Sequence, residues 1–131
     1  MPANYDELTP GFEFPPVEYS LEEGIVNDYV AAVGVEPKSH VPPLAVAARA
    51  IASLGQLMVL PPGTIHASQE FEFNGFAFTG AKVSCVAKVL RKVSRGPMRM
   101  LTLEMRITED SGALIQMGRS TIVLPEPQVQ Q

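Results

Sequence analysis

One segment limits the possible folds more than any other. Residues 44–58, LAVAARAIASLGQLM, lie between Pro42-Pro43 and the breaker Pro61-Pro62-Gly63. Their polar members Arg49, Ser53 and Gln56 recur at offsets of four and three, which makes one narrow stripe on a helix, and every other direction is apolar or small. Such a helix has to be surrounded on most sides. Its alanines, with Gly55, let a sheet approach closely, so Gly55 is expected in tight contact and Gly55→Leu is expected to overpack.

The rest of the chain supplies that sheet. TIHASQEFEF alternates Ile65, Ala67, Phe71 and Phe73 with His66, Ser68, Glu70 and Glu72, the period of a strand with one apolar and one polar face. Further strands are predicted over 81–94, 98–108 and 113–124, separated by Ser94-Arg95-Gly96-Pro97 and Glu109-Asp110-Ser111-Gly112, both of hairpin type. Strands joined by short turns are antiparallel neighbours, so these four read as a meander.

Ahead of the central helix, residues 1–11 form an aperiodic arm, and FEFPPVEYS, interrupted by two prolines, fits only an edge or irregular strand. Ser20-Leu21-Glu22-Glu23 has the form of a capping box, Ile25, Val26, Tyr29, Val30 and Val33 repeat at helical spacing, and Gly34 ends the pattern. A helix over about 21–33 follows. The economical arrangement of a long antiparallel sheet and one buried helix is α+β, a curled sheet wrapped around a long central helix, the hot-dog fold. Residues 1–124 read as one such domain and 125–131, with nothing to bury, as a mobile tail.

Composition removes several classes of function. The chain has 131 residues, 46% of them hydrophobic, enough for one sizeable core. No apolar run approaches the ~18 residues that cross a bilayer, and MPANYDELTP has no signal-peptide character, so a soluble, cytoplasmic protein is expected. A net charge of −4 gives no footprint for nucleic acid or a membrane surface. The local basic stretch Lys88, Arg91, Lys92, Arg95 and Arg99 reads either as the solvated end of a hairpin or as a phosphate contact. Cys85 is the only cysteine, which excludes an internal disulfide and a cysteine-rich zinc site, and without a nearby histidine in sequence it reads as a buried thiol. Two histidines, His40 and His66, do not make a metal set, and no cofactor is implied.

Four stretches, in order, resemble the MaoC-like enoyl-CoA hydratase and dehydratase family. YDELTPGFEFPPVEYSLEEGIVNDYVAAVG is similar to its opening, VPPLAVAARAIASL to its proline-pair lead-in to the central helix, PPGTIHASQEFEFNGFAFTGAKV to its histidine-bearing first long strand, and ITEDSGALIQMGRSTIVLP to its last hairpin. The resemblance implies an acyl-CoA or acyl-carrier thioester as ligand, a role in fatty acid metabolism, and a homo- or heterodimer with another hot-dog chain. Catalytic members of the family carry an aspartate and, five residues on, a histidine before the central helix. Here Val35 stands five residues before His40, and the nearest carboxylate is Glu36. The chain is therefore most similar to the non-catalytic halves and small subunits of the family.

Adding water across an enoyl thioester takes a base for the water, an acid for the α-carbon and donors for the thioester oxygen. Glu36 with His40 is the only local acid-base candidate, set against an ordinary loop pair. His66, Phe76, Phe78 and Gly80 are the candidate substrate-binding residues. His66 is equally a cross-strand hydrogen-bonding residue, and Phe71, Phe73, Phe76 and Phe78 are core if they do not line an acyl tunnel. Amides at the helix start near Leu44 could hold a thioester oxygen. Two expectations follow: a substrate-binding partner of a catalytic hot-dog chain, or a self-sufficient hydratase using Glu36 and His40. A ligand-binding module without catalysis and a thioesterase remain on the same fold.

Overall fold

The computed structural model describes residues 3–21, 41, 43–78 and 80–125. The helix expected over 21–33 falls, beyond Leu21, outside them, as do residues 126–131 of the expected tail. Five strands, β1 (Val17–Ser20), β2 (Ile65–Phe73), β3 (Lys82–Arg95), β4 (Met98–Glu109) and β5 (Leu114–Leu124), form one antiparallel sheet in the order β1-β3-β4-β5-β2, with a single described α-helix, α1 (Pro43–Leu57).

The two short turns make β3, β4 and β5 neighbours, as expected from their sequence. β2 departs from the four-stranded meander, because it pairs with β5 while the proline-flanked β1 lies beside β3. No tight turn joins β2 to β3. The amides of Asn74 and Gly75 bond the Ile115 carbonyl on one side of the sheet, and the amide of Gly80 bonds the Leu21 carbonyl on the other, so the connection crosses between the two edges.

Cross-strand partners share a face of the sheet, and the register sorts them. Val17, Cys85, Ile107, Gln116 and Phe73 make one row on the helix side, and Ala87, Met105, Gly118 and Phe71 make the next. Lys88, Glu104, Arg119 and Glu70 line the opposite face with alternating sign, so each charge has an opposite neighbour. The buried core joins Val83, Cys85, Ala87 and Val89 of β3 and Leu101, Leu103, Met105 and Ile107 of β4 to Val46, Ala50 and Leu54 of α1.

Among the described residues the helix is not enclosed on most sides. Its buried residues are Val46, Ala47, Ala50, Ser53 and Leu54, one stripe, while Leu44, Gly55 and Gln56 are exposed. The expected polar stripe divides accordingly. Ser53 is fully buried, its hydroxyl donating to the Ala50 carbonyl at 2.6 Å, and the Arg49 guanidinium lies over the Tyr19 ring at 4.8 Å. A serine that satisfies its own hydroxyl within the helix enters a core at little cost, so polarity at this position did not mark the outer face.

The N-terminal arm is built into the structure. Tyr5, Leu8 and Phe14 are buried, the Ala3 amide bonds the Leu57 carbonyl at the helix end, and Phe12 and Phe14 bond the backbone of β3 at Val89 and Ala87. Lys92 and Arg99 of the basic stretch both stack on the Tyr5 ring, at 4.4 and 4.9 Å, and Lys92 donates to the Leu8 carbonyl. Two members of that stretch therefore hold the arm down, and Arg91 and Arg95 stay exposed.

Two glycines separate a helix face that is open from a sheet face that is tight. A Cβ on Gly55 meets nothing within 4 Å, whereas one on Gly118 falls 2.6 Å from the Phe71 ring and 3.2 Å from the Met105 methyl. We expect Gly118→Ala to destabilise the chain by ~1–3 kcal/mol through overpacking. Gly55→Ala should stabilise it by up to about 1 kcal/mol through helix propensity. Denaturant midpoints of the two variants check both signs, and a loss from Gly55→Ala would mean that this helix face is covered.

Candidate functional site

The segment that crosses from β2 toward β3 meets the start of α1 and makes a corner there. The amide of Val41 donates to the Ala77 carbonyl at 2.7 Å, and both residues are buried. On either side of Ala77, Phe76 and Phe78 are exposed, at 64% and 59%. Because α1 opens on Pro43 and two prolines head the segment, the first-turn amides without an intrahelical acceptor are those of Leu44 and Ala45. These donors and the two aromatic rings are brought to one end of the sheet.

Gln116 completes the corner. A bulge between Ile107 and Thr108 pairings leaves Ile115 extra, and it turns both Ile115 and Gln116 inward. Gln116 is fully buried, and its Nε2 donates to the Pro43 carbonyl at 2.7 Å. That bond fixes which way the amide points, since the reverse orientation would set two acceptors against each other. The Oε1 atom is buried and, among the described residues, has no hydrogen-bond partner. Leaving such an acceptor unpaired costs about 1–3 kcal/mol, so its persistence at this corner needs a reason beyond packing.

The remaining candidates are distributed differently. Glu36 and His40 lie outside the described residues, and His40 directly precedes the anchored Val41. Gly80 has φ +88, a left-handed conformation that disfavours any side chain, and bonds Leu21, so it shapes the turn into β3. His66 sits at the other end of β2 from Phe73, roughly 20 Å away at the rise of a strand. A second bulge between His66 and Ser68 moves the histidine from the polar face to the side of Gln69 and Phe71. Its Nε2 bonds the Gln69 side-chain oxygen at 2.8 Å, and Ser120 donates to the same oxygen. Within one chain, His66 and the Phe76 to Gly80 segment are therefore not brought together. Phe71 is half-buried against the core and stacks in parallel with exposed Phe73, their centroids 6.4 Å apart.

Reasoning from the sequence missed Gln116 altogether. The signal was present, because Gly118, Ser120, Ile122 and Leu124 share its parity along β5 and all face the core. Among the described residues no three metal-ligating side chains cluster. A cleft of about 630 Å³ lies at the opposite end of α1, between Tyr5, Val59, Arg99 and Pro125.

Beneath the other flank of α1, Cys85 is buried beside Ser53, and the Tyr19 hydroxyl is buried without a partner among the described residues. Burial pushes the Cys85 thiol up, and the neighbouring Ser53 hydroxyl partly opposes this. Burial also raises the Tyr19 phenol, as does the nearby thiol, against the pull of Arg49.

Neither a protein-family model nor a curated protein sequence matches the chain. Solved structures do. The R-hydratase PhaJ1 from Pseudomonas aeruginosa is similar over 97% of this chain and 91% of its own, with a TM-score of 0.78 and 18% identity. A MaoC-like dehydratase from Rhodospirillum rubrum matches over 95% and 97%, with a TM-score of 0.80 and 15% identity. The HadBC (3R)-hydroxyacyl-ACP dehydratase complex from Mycobacterium tuberculosis contributes a chain similar over 87% and 96%, at 0.71 and 15%. The chain has the hot-dog fold. At these identities the likeness carries the architecture and leaves the chemistry to the residues. Among the described residues no helix is long and apolar enough to cross a membrane.

The thiol gives a direct check on this core. Cys85 should resist alkylation at neutral pH in the native protein and react on unfolding. Because its native pKa is raised, it contributes stability that is complete below about pH 9 and declines as pH rises through the native value. The denaturant midpoint should therefore fall less steeply above pH 9 in Cys85→Ala than in the wild type.

Proposed function

We propose that this chain binds acyl thioesters as a component of an (R)-specific enoyl-thioester hydratase or 3-hydroxyacyl-thioester dehydratase, and that it shapes the substrate cleft while a related hot-dog chain brings the aspartate and histidine. The observation that carries this is the corner at the start of α1. The first-turn amides of Leu44 and Ala45, which have no intrahelical acceptor, exposed Phe76 and Phe78, and a buried polar group at Gln116 belong to it. Amide donors suit a thioester oxygen that gains charge as an enolate develops, and the aromatic rings suit an acyl chain. The names of the similar structures, a hydratase, a dehydratase and a dehydratase complex, support the same chemistry. Val35 in place of an aspartate five residues before His40 supports the division of labour.

A partner chain also answers a physical difficulty. Among the described residues β2 is an edge strand, paired only with β5, and Ile65 and Phe73 on it are exposed. Unpaired ladder groups beside apolar side chains are stabilised by a second sheet edge. Sedimentation at micromolar concentration should give a dimer or a larger assembly, and a well-folded monomer would refute that part of the proposal.

Activity separates the two hydratase readings. Alone, the chain should hydrate crotonyl-coenzyme A feebly, since loss of a positioned acid or base removes ~10²–10⁴-fold in rate. Combined with a catalytic partner it should raise turnover of long or bulky acyl chains, and His40→Ala or Glu36→Gln in this chain should cost no more than a few-fold. Robust activity of the isolated chain that His40→Ala abolishes would assign the acid-base pair to Glu36 and His40 instead. Acyl thioester hydrolysis without hydration would point to a thioesterase.

A further inference from the structure

We propose that a groove on the outer face of the sheet, where β3, β4 and β5 run side by side near the first hairpin, binds a doubly charged phosphate monoester through Arg91 and Arg95, with a threonine hydroxyl as a third donor. The groove has a volume of about 250 Å³ and is lined by Arg91, Val93, Arg95, Met100, Thr102 and Thr121. It lies on the side of the sheet turned away from α1, so the inference is independent of the thioester-binding reading.

Three features of the molecule lead to it. First, a bulge decides which basic side chains reach the groove. Val83, Cys85, Ala87 and Val89 of β3 face the core, so strict alternation would send Arg91 inward as well. The irregularity between Val89 and Arg91 reverses the parity, turning Lys92 inward onto the Tyr5 ring and placing Arg91, Val93 and Arg95 together on the outer face. Second, the charge there is uncompensated. Lys88, Glu104, Arg119 and Glu70 alternate in sign across four strands, whereas the next two rows toward the hairpin, Arg91-Thr102-Thr121-Ser68 and Val93-Met100-Val123-Ile65, contain no carboxylate. Among the described residues neither guanidinium of the groove has a hydrogen bond or an ion pair. Third, the polar lining has donors to spare. The Thr102 and Thr121 hydroxyl oxygens are 3.1 Å apart, so one proton lies between them and the other is left to donate outward. Arg91 and Arg95 are separated by ~13 Å of strand with Val93 between them, and their long side chains can lean over Val93 toward one group. Two positive charges and an outward hydroxyl match a phosphate monoester, which carries nearly two negative charges on three acceptor oxygens and pairs with arginine in bidentate fashion. A carboxylate would neutralise only one of the two arginines. Val93 and Met100 give the carbon side of the ester an apolar floor.

Nuclear magnetic resonance titration of the full chain with methyl phosphate at pH 8, where a phosphate monoester is doubly charged, reads the site directly. We expect saturable shifts confined to the amides of Thr102 and Thr121 and the side-chain Nε of Arg91 and Arg95, which sodium chloride at equal ionic strength does not reproduce. Arg91→Gln or Arg95→Gln should weaken binding about tenfold, the effect of losing a hydrogen bond to a charged group. Arg91→Lys, which keeps the charge and loses the planar fork, should fall between wild type and Arg91→Gln. Affinity should decline as pH falls through about 6, where the ester takes up its second proton. Coenzyme A and 3′-dephospho-coenzyme A, which differ in one phosphate monoester, distinguish the sources of the ligand. Tighter binding of coenzyme A that Arg91→Gln abolishes supports the site and assigns it to the coenzyme, and equal binding of the two, with methyl phosphate still shifting the groove, supports it and assigns it to another phosphorylated metabolite. Absence of shifts, shifts that chloride reproduces, or shifts that survive Arg91→Gln and Arg95→Gln together would overturn the site and leave the thioester reading intact. The comparison of methyl phosphate with chloride uses the wild type, so it decides the matter without any variant.

Discussion

Burial of one narrow stripe of α1 against the inward rows of β3 and β4 holds the rest of the structure in place. Ser53 on the helix lies beside Cys85 on the sheet, and with Ala50 and Ala87 in the same core these small side chains let the two layers approach closely. Larger residues at either end, Val46 and Leu54 on the helix and Leu101, Leu103 and Met105 on β4, then close the core around that contact. The interior is close-packed, so the spacing set at the centre fixes where the start of the helix lies relative to the end of β5. That placement puts the Pro43 carbonyl within reach of the Gln116 amide.

The corner at the helix start depends on two local irregularities in otherwise regular strands. The bulge at Ile115 aims Gln116 inward, and the bond between Val41 and Ala77 ties the segment before α1 to the strand connection that bears Phe76 and Phe78. Bulges commonly re-aim side chains at sites of function. A regular β5 would have kept strict alternation through Ile115, and only one of Ile115 and Gln116 would then face the core. The bulge in β2 acts in the same way on His66, which leaves the face of Glu70 and Glu72 for that of Gln69 and Phe71. Seen from the edge strand, His66 and Phe73 face the same side at opposite ends, and a second chain paired along β2 would receive both.

The sequence by itself determined the kinds of element and most of their limits. Strict alternation in TIHASQEFEF, the two hairpin turns, and the apolar run of residues 44–58 each report a periodicity that local geometry imposes, and β2, α1, β3, β4 and β5 fall within a few residues of where those patterns put them. The prolines of FEFPPVEYS also marked β1 as an edge, because a residue without an amide proton cannot serve a central ladder. What only the tertiary structure decided were properties that depend on partners distant in sequence. Strand order is one, since Asn74-Gly75 after β2 has the form of a hairpin turn toward β3, yet β2 pairs with β5. The inner face of α1 is another: its alanines are alike in composition on every side, and packing beside Cys85, not polarity, selected Ser53 for burial and left Gly55 in the open. Gln116 belongs to the same class. Its residue type suggests a surface position, and its buried, half-satisfied amide arises from a bulge and a carbonyl 73 residues away in the chain, which no local pattern encodes.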